Sequence, residues 1–314
     1  YYPTEFEIRF QFIAWGVVGT CIAVLGLIGN ILSICVLCHR RMRSSTSCYL
    51  TALSIYDCIV LMSQIVFFGM FSIERQTGWP RNYKVFFAYL QPYAYPLALT
   101  AQTASIYTTV GFTVERYIAV CLPLTAAKTC TISRARKTVL LILVVSIIYN
   151  IPRAFENYTL AQFDSTTNKT HVAYMHTDFG LNHAYRFVYV VLMNFGFMLL
   201  LPFTVLIVLN ALLLRAVNQS ACTQGRITSR QRHENNLTVM LLSVVIVFLA
   251  CQILPIVDNI CIVMYPNGSQ QAMLVLTVVS CLMVTLNSAT NFYLYCVFGR
   301  KFRQVFCLIF CRCR

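Results

Sequence analysis

Long apolar runs, broken at intervals by short clusters of charge, set the pattern of this chain. Seven runs, at about 12–38, 48–73, 85–118, 132–152, 184–215, 233–263 and 271–298, have the length that a helix needs to cross a bilayer. The bilayer core offers no water to backbone N–H and C=O groups, so segments of this kind are expected as helices. The pattern predicts an all-α membrane protein, a single seven-helix domain over residues 1–314. The third run stands out, because residues 85–114 carry no charge and Glu115, Arg116 and Tyr117 then arrive together. Pro92 and Pro96 predict an irregular outer end to it, whereas nothing from Ala98 to Val114 breaks a helix. Pro202 and Pro255 fall mid-span, where proline costs a helix about 3 kcal/mol, and predict kinks. After the seventh run, Phe302, Val305, Phe306, Ile309 and Phe310 recur at i, i+3, i+4, i+7 and i+8 between basic residues. That spacing predicts an amphipathic helix over 299–311, lying on the inner leaflet.

Composition agrees with a membrane protein: 58% of residues are hydrophobic and 11% charged, against about 25% charged in soluble domains. The net charge of +14 reports topology. Most of the 24 Lys and Arg fall around 39–47, 115–137, 215–233 and 299–314, which the positive-inside rule assigns to the cytoplasm. The N-terminus is then extracellular and the expected location the plasma membrane. Basic residues split among short loops argue against a nucleic-acid partner. The fourth run is short between charges, so Arg136, Lys137 and Arg153 are expected to snorkel to the interfaces. Trp79 is expected to be an interfacial anchor. Fifteen cysteines avoid the outer loops 74–84, 153–186 and 264–270, which disfavours a disulfide framework. Cys307, Cys311 and Cys313 are candidate palmitoylation sites, with unmodified thiols as the alternative. Asn157 and Asn168 are sequons in the longest outer loop and candidate glycan sites; the sequons at Asn218 and Asn236 fall on the cytoplasmic side. The chain starts at Tyr1 without Met or a cleavable signal pattern, and its natural ends are expected to lie beyond it.

Polar residues recur within the spans at Asn30, Asp57, Ser105, Asn287, Ser288 and Asn291. A charged Asp at mid-membrane costs upward of about 2.5 kcal/mol and needs a partner or a role. On spacing alone, one polar site and a set of separate interhelical hydrogen bonds are both open. The ordered motifs resolve this by likeness. Gly29-Asn30 in span one, LSIYD in span two, Glu115-Arg116-Tyr117 before CLPL, prolines in spans five and six, and NSATNFYLY before a basic amphipathic helix resemble a rhodopsin-like G-protein-coupled receptor over all seven spans. The resemblance implies a sodium ion, held as an allosteric ligand by Asp57, Ser105, Asn30, Asn287, Ser288 and Asn291; no other cofactor is expected. It implies that Arg116 leaves a resting partner, Glu115 or Glu234, to meet a heterotrimeric G protein, and that Tyr295 swings toward it. Tyr117, Pro123, Pro202, Pro255 and Asn291 complete the implied activation machinery, with arrestin and membrane lipid as further partners.

The departures from that pattern are specific. Phe292 stands where the family usually has proline. Gln252-Ile253-Leu254-Pro255 lacks the usual tryptophan, so activation is expected to pass through packing at Ile253 and Phe248. Gln91 stands where a disulfide cysteine is expected, so the second outer loop is to be held by packing, by ligand or by a glycan that limits its mobility.

Ala98 occupies the place of the amine-pairing acid, and span seven has no lysine for a retinal Schiff base. The outer half offers Gln64, Tyr93, Tyr95, Gln102, Tyr189, Asn194, Asp258 and Asn259, with Glu156 and Asp178 above. Aromatic rings, amides and a few acids suit a peptide carrying Arg and Phe, although some of the tyrosines belong equally to an interface belt. NSATNFYLYC and HENNLTVMLLSVVIVFLACQILP are similar to invertebrate receptors for FMRFamide-like neuropeptides. That likeness implies an extracellular amidated peptide whose Arg pairs with Asp258 or an acid of residues 153–186, and whose amide meets Gln or Asn side chains deeper down. The alternatives are a receptor for a lipid or other small molecule, and a small-solute transporter. The latter predicts an internal repeat that the chain does not show. No nucleophile, base and orienter set suggests an enzyme.

Overall fold

The computed structural model describes residues 4–164, 169–223, 229–265 and 269–311, with the side chains of 162–171, 217–242, 263 and 311 outside the description. Asn168 and Cys313 therefore lie outside the described residues, as do the side chains of Glu234 and Cys311. Seven long helices form the bundle: Glu5–Leu37, Ser45–Thr77, Tyr83–Cys121, Ile132–Phe155, His183–Ala216, Ser229–Met264 and Gln270–Phe298. They are called the first to seventh spans here. Each packs on its neighbours in sequence, the fourth on the fifth through Tyr149 against Tyr189 and Phe197; the first also meets the seventh, and the third touches the second, fourth, fifth and sixth.

The third span is the axis, and its composition follows from that place. Six of the helices are long and apolar enough to cross a membrane unaided, and this one is not among them. It is surrounded by protein, so polar positions are tolerated. Thr100, Thr103, Thr109 and Thr113 are buried, and each hydroxyl bonds the carbonyl one turn back, at 2.8, 2.8, 3.2 and 2.9 Å.

The irregular outer end expected from Pro92 and Pro96 is corrected: the helix runs unbroken from Tyr83 to Cys121 with both prolines inside. A proline has no N–H for the carbonyl four residues back, so Pro92 frees that of Ala88. The hydroxyl of Thr159, from the second outer loop, fills the vacancy at 2.8 Å.

That loop is a β-hairpin, where the sequence reading expects only a connection. Strands β1 (Asn157–Asp164) and β2 (Lys169–His176) pair antiparallel from Asn157↔His176 to Asp164↔Lys169. Tyr174 meets Phe87 of the third span edge-on, with ring centres 5.6 Å apart. At the hairpin base Arg153 Nη1 pairs with Glu156 Oε1 at 2.9 Å, and the same oxygen accepts from the Tyr185 hydroxyl at 2.7 Å. Packing and hydrogen bonds thus hold a loop that lacks the expected cysteine bridge. Arg153 does not snorkel outward: only 14% of its side chain is exposed, and its guanidinium lies 5.2 Å from the Tyr189 ring centre.

Wider, i→i+5 turns occupy Phe12–Gly19, Ile65–Met70 and Arg186–Leu200, all in the outer halves of their spans. The fifth span returns to regular winding at Leu201, so Pro202 sits where the pitch changes. The seventh span is unbroken through Phe292. A short helix, Arg300–Phe306, follows and continues in wider turns to Cys311. Its Phe302 and Val305 are buried against Val36, Leu50 and Tyr295, while Arg303 Nη1 bonds the last-turn carbonyls of the seventh span, that of Cys296 at 2.8 Å.

Gly26 lets three spans meet. A Cβ there would lie 2.6 Å from Ala289 Cβ and 2.9 Å from Leu61 Cδ1. Gly26→Ala is expected to destabilise the bundle by about 2 kcal/mol, read as a lower midpoint in a thermal melt of the solubilised protein. Arg153→Met strands a buried carboxylate and is expected to cost about 3 kcal/mol. Arg153→Met/Glu156→Gln is expected to recover most of that loss in the same melt.

Candidate functional site

A cavity of about 320 Å³ opens in the outer half of the bundle, between the second, third, fourth, fifth, sixth and seventh spans. Of the expected ligand-binding residues, Gln64, Tyr95, Gln102, Asn194, Asp258 and Asn259 line it. Asp258 is the sharpest feature. It is 7% exposed, one turn above Pro255, and accepts a hydrogen bond from the Thr277 hydroxyl at 2.8 Å. No ion pair among the described residues includes it. Asn259 Nδ2 bonds the carbonyl of Pro255 at 3.0 Å, which ties its amide to the helix at the cavity wall.

The remaining expected contacts are placed elsewhere. Tyr93 is 79% exposed and points away from the bundle, because it lies two residues from Tyr95 on a helix and so on a different face. Glu156 is consumed by Arg153, and Tyr189 is engaged by the Tyr149 carbonyl through its hydroxyl at 2.5 Å. Asp178 begins an exposed helical turn, Asp178–Leu181, outside the long helices. Ile253 is corrected as well: it is 49% exposed, while neighbouring Gln252 is 3% exposed and lines the cavity. Phe248, by contrast, is buried with Ile106, Leu206 and Val245. Asn157 is 9% exposed at the start of β1, which leaves its amide little access for a glycan.

Arg153, Thr277 and Ser280 also line the cavity and were not among the expected residues. For Arg153 one signal exists, since Glu156 follows at i+3. Thr277 and Ser280 sit in a run of apolar residues with no local mark of their partners.

At mid-depth Asp57 is fully buried. Ser105 Oγ donates to its Oδ1 at 2.9 Å and Asn291 Nδ2 to its Oδ2 at 2.7 Å. Asn30 is also fully buried; its Nδ2 bonds the carbonyls of Gly26 and Ser288, both at 2.9 Å, pinning the first span to the seventh. Ser288 is buried, and Asn287 half-buried with its carbonyl bonded by Thr290 at 3.1 Å. Buried oxygens at Asn30, Ser33 and Ser54 have no hydrogen-bond partner. A carboxylate met by neutral donors alone among the described residues suits a small hard cation or a proton.

At the inner end Arg116 Nη2 reaches Glu115 Oε1 at 3.2 Å. The carboxylate also accepts from Ser45 Oγ at 2.9 Å and Thr46 Oγ1 at 3.3 Å, and Arg116 donates to Thr46. Two adjacent helical residues pair here by bending their side chains, and the second span completes the cage. Tyr117 is half-buried beside it. Tyr295 is 1% exposed, its hydroxyl unpartnered and its ring 5.7 Å from Phe302. Pro123 starts a short exposed helix, Pro123–Thr129, on which Leu124 is 91% exposed.

Residues 29–295 match the family model described as "7 transmembrane receptor (rhodopsin family)". The chain is 34% identical over 315 residues to the FMRFamide receptor of Drosophila melanogaster, covering 99% of this chain and 56% of that receptor's length. It is 31% identical over 296 residues to the FMRFamide peptide receptor frpr-18 of Caenorhabditis elegans, covering 92% and 67% of the two chains. A 130-residue stretch is 35% identical to the thyrotropin-releasing hormone receptor of Mus musculus, covering 40% and 30%. A seven-helix bundle with a buried Asp at its centre and a caged arginine at its inner end, matched by that family model from Gly29 to Tyr295, belongs to the rhodopsin family of seven-transmembrane receptors.

Proposed function

We propose that this protein is a plasma-membrane receptor, N-terminus outside, for an extracellular amidated peptide of the FMRFamide-like class, and that it activates a heterotrimeric G protein. The observation that carries the ligand reading is Asp258. A buried carboxylate facing a cavity, met among the described residues by one neutral hydroxyl and no cation, lacks the charge that a ligand arginine would bring. Amide and aromatic side chains around it suit the rest of such a peptide. A lipid ligand would leave that charge uncompensated. The relatives named for FMRFamide support the same class.

Binding shifts a population between two helix arrangements. Pairing at Asp258 acts on the sixth span one turn from Pro255, the place where its backbone ladder is interrupted. At the inner end the Ser45, Thr46 and Glu115 cage holds Arg116 in the resting arrangement, and release of Arg116 presents its guanidinium to the G protein. Tyr295, buried with an idle hydroxyl, has a hydrogen bond to gain by moving. Leu124 offers an exposed apolar contact beside that surface. A sodium ion near Asp57 would supply the positive charge that Ser105 and Asn291 do not, favouring the resting arrangement. Arrestin at the same inner face, palmitoylation of Cys307 and contact of the tail helix with inner-leaflet lipid belong to this reading.

Asp258→Asn is expected to weaken activation by Phe-Met-Arg-Phe-amide about thirtyfold, equivalent to about 2 kcal/mol of lost pairing, at unchanged surface level. Equal potency of the two proteins in a G-protein activation assay would overturn the assignment. Glu115→Gln removes the charge that holds Arg116 and is expected to raise ligand-independent activation severalfold per receptor at the surface. An unchanged basal level would show that this pair does not restrain the resting state.

A further inference from the structure

Two cavity-lining polar groups are left without work by the pairing proposed at Asp258. Ser280 is 2% exposed and its hydroxyl has no hydrogen-bond partner. Gln64 is 6% exposed; its Nε2 has no partner either and lies against the bare face of Gly19, where a Cβ would come within 3.2 Å. An idle buried polar group costs about 1–3 kcal/mol of desolvation, and most such groups in folded proteins find a partner. Both residues border the space that a ligand would fill. Ser280 lies three residues from Thr277, about 4.5 Å along the seventh span toward mid-membrane.

We infer that Gln64 and Ser280 form a subsite for the terminal carboxamide of the ligand, one helical turn deeper than the arginine subsite of Asp258 and Thr277. This rests on the amidated-peptide reading above. The chemistry is matched in both directions. A primary carboxamide brings an acceptor oxygen and two N–H donors. The side-chain amide of Gln64 offers the complementary pair, and the Ser280 hydroxyl can take or give one bond. The terminal torsion of Gln is broad, so its amide can turn from Gly19 to face the ligand. A free carboxylate is served worse, because it brings no donor for the Gln64 oxygen and stands one turn from the Asp258 charge. The nearest fixed cation on the cavity wall, Arg153, is already neutralised by Glu156. The subsite therefore selects an amidated over an unamidated C-terminus.

The test uses the full chain in cells and two probes, Phe-Met-Arg-Phe-amide and the same peptide with a free C-terminal acid, in a G-protein activation assay normalised to surface receptor. The wild-type protein is expected to respond to the amide at tenfold or more lower concentration than to the acid. Gln64→Leu and Ser280→Ala each remove an idle buried polar group, so folding is expected to be preserved. Each is expected to weaken the amide about tenfold and to leave the acid nearly unchanged, bringing the ratio toward one. Asp258→Asn is expected to weaken both peptides together and, since it also removes a charge that repels the acid, to leave the ratio above one but no higher than the wild-type value. A wild-type ratio retained in both Gln64→Leu and Ser280→Ala, as expected if these groups hold only a buried water, would overturn the subsite. An abundant wild-type protein silent to both peptides would overturn the peptide reading itself, and the subsite with it.

Discussion

Within a bilayer a charge has no water to dilute it, and four buried acids among the described residues, Glu115, Glu156, Asp57 and Asp258, are dealt with in one of two ways. Glu115 and Glu156 are each set against an arginine, in a cage closed by hydroxyls from a neighbouring element. Asp57 and Asp258 are met by neutral donors alone among the described residues. The first kind is internally complete and holds structure: one pair closes the inner end of the third span, the other anchors the base of the hairpin. The second kind is incomplete, and both examples lie where a mobile cation or a ligand cation has reason to bind. The division between framework and site is thus a division between acids that own their counter-charge and acids that do not.

The same accounting of polar groups explains how the outer face is built without a disulfide. Pro92 would ordinarily count as a defect in the third span, because it removes a backbone donor. Here the carbonyl it frees at Ala88 becomes the acceptor for Thr159, and the hairpin is moored to the helix at that point. Tyr174 against Phe87 adds an apolar contact, and the Arg153–Glu156 pair fixes the strand at its root. These are non-covalent ties between elements far apart in sequence. They leave the hairpin able to shift when a ligand enters the cavity below it, more so than a covalent bridge would.

Between the outer cavity and the inner cage stands a column of buried polar contacts on the second, third and seventh spans. Asp57 is bonded from the third span by Ser105 and from the seventh by Asn291, and Asn30 ties the first span to the seventh at the same level. A rearrangement of the sixth and seventh spans near Asp258 and Thr277 acts on a helix that also carries Asn291 and Tyr295. The coupling proposed between outside and inside needs no separate wire. The seventh helix alone carries Thr277, Asn291 and Tyr295.

What the sequence alone determined is the number of spans, their order and the acids that matter, because these follow from local properties. An apolar run of sufficient length must be a helix in lipid, and an ionisable residue inside one is conspicuous wherever it points. Asp57, Asp258 and the Glu115-Arg116 pair are legible for that reason. Tertiary structure alone decided which face each residue occupies and who its partner is. In helices apolar on nearly every side, periodicity carries little information on facing, so Tyr93 and Tyr95, or Gln252 and Ile253, cannot be told apart until the neighbours are in place. The mooring of the hairpin by Thr159 to Ala88 and the meeting of Gln64 and Ser280 at one cavity are likewise decided by packing across the bundle. Each joins residues tens or hundreds of positions apart, a distance over which no local pattern reaches.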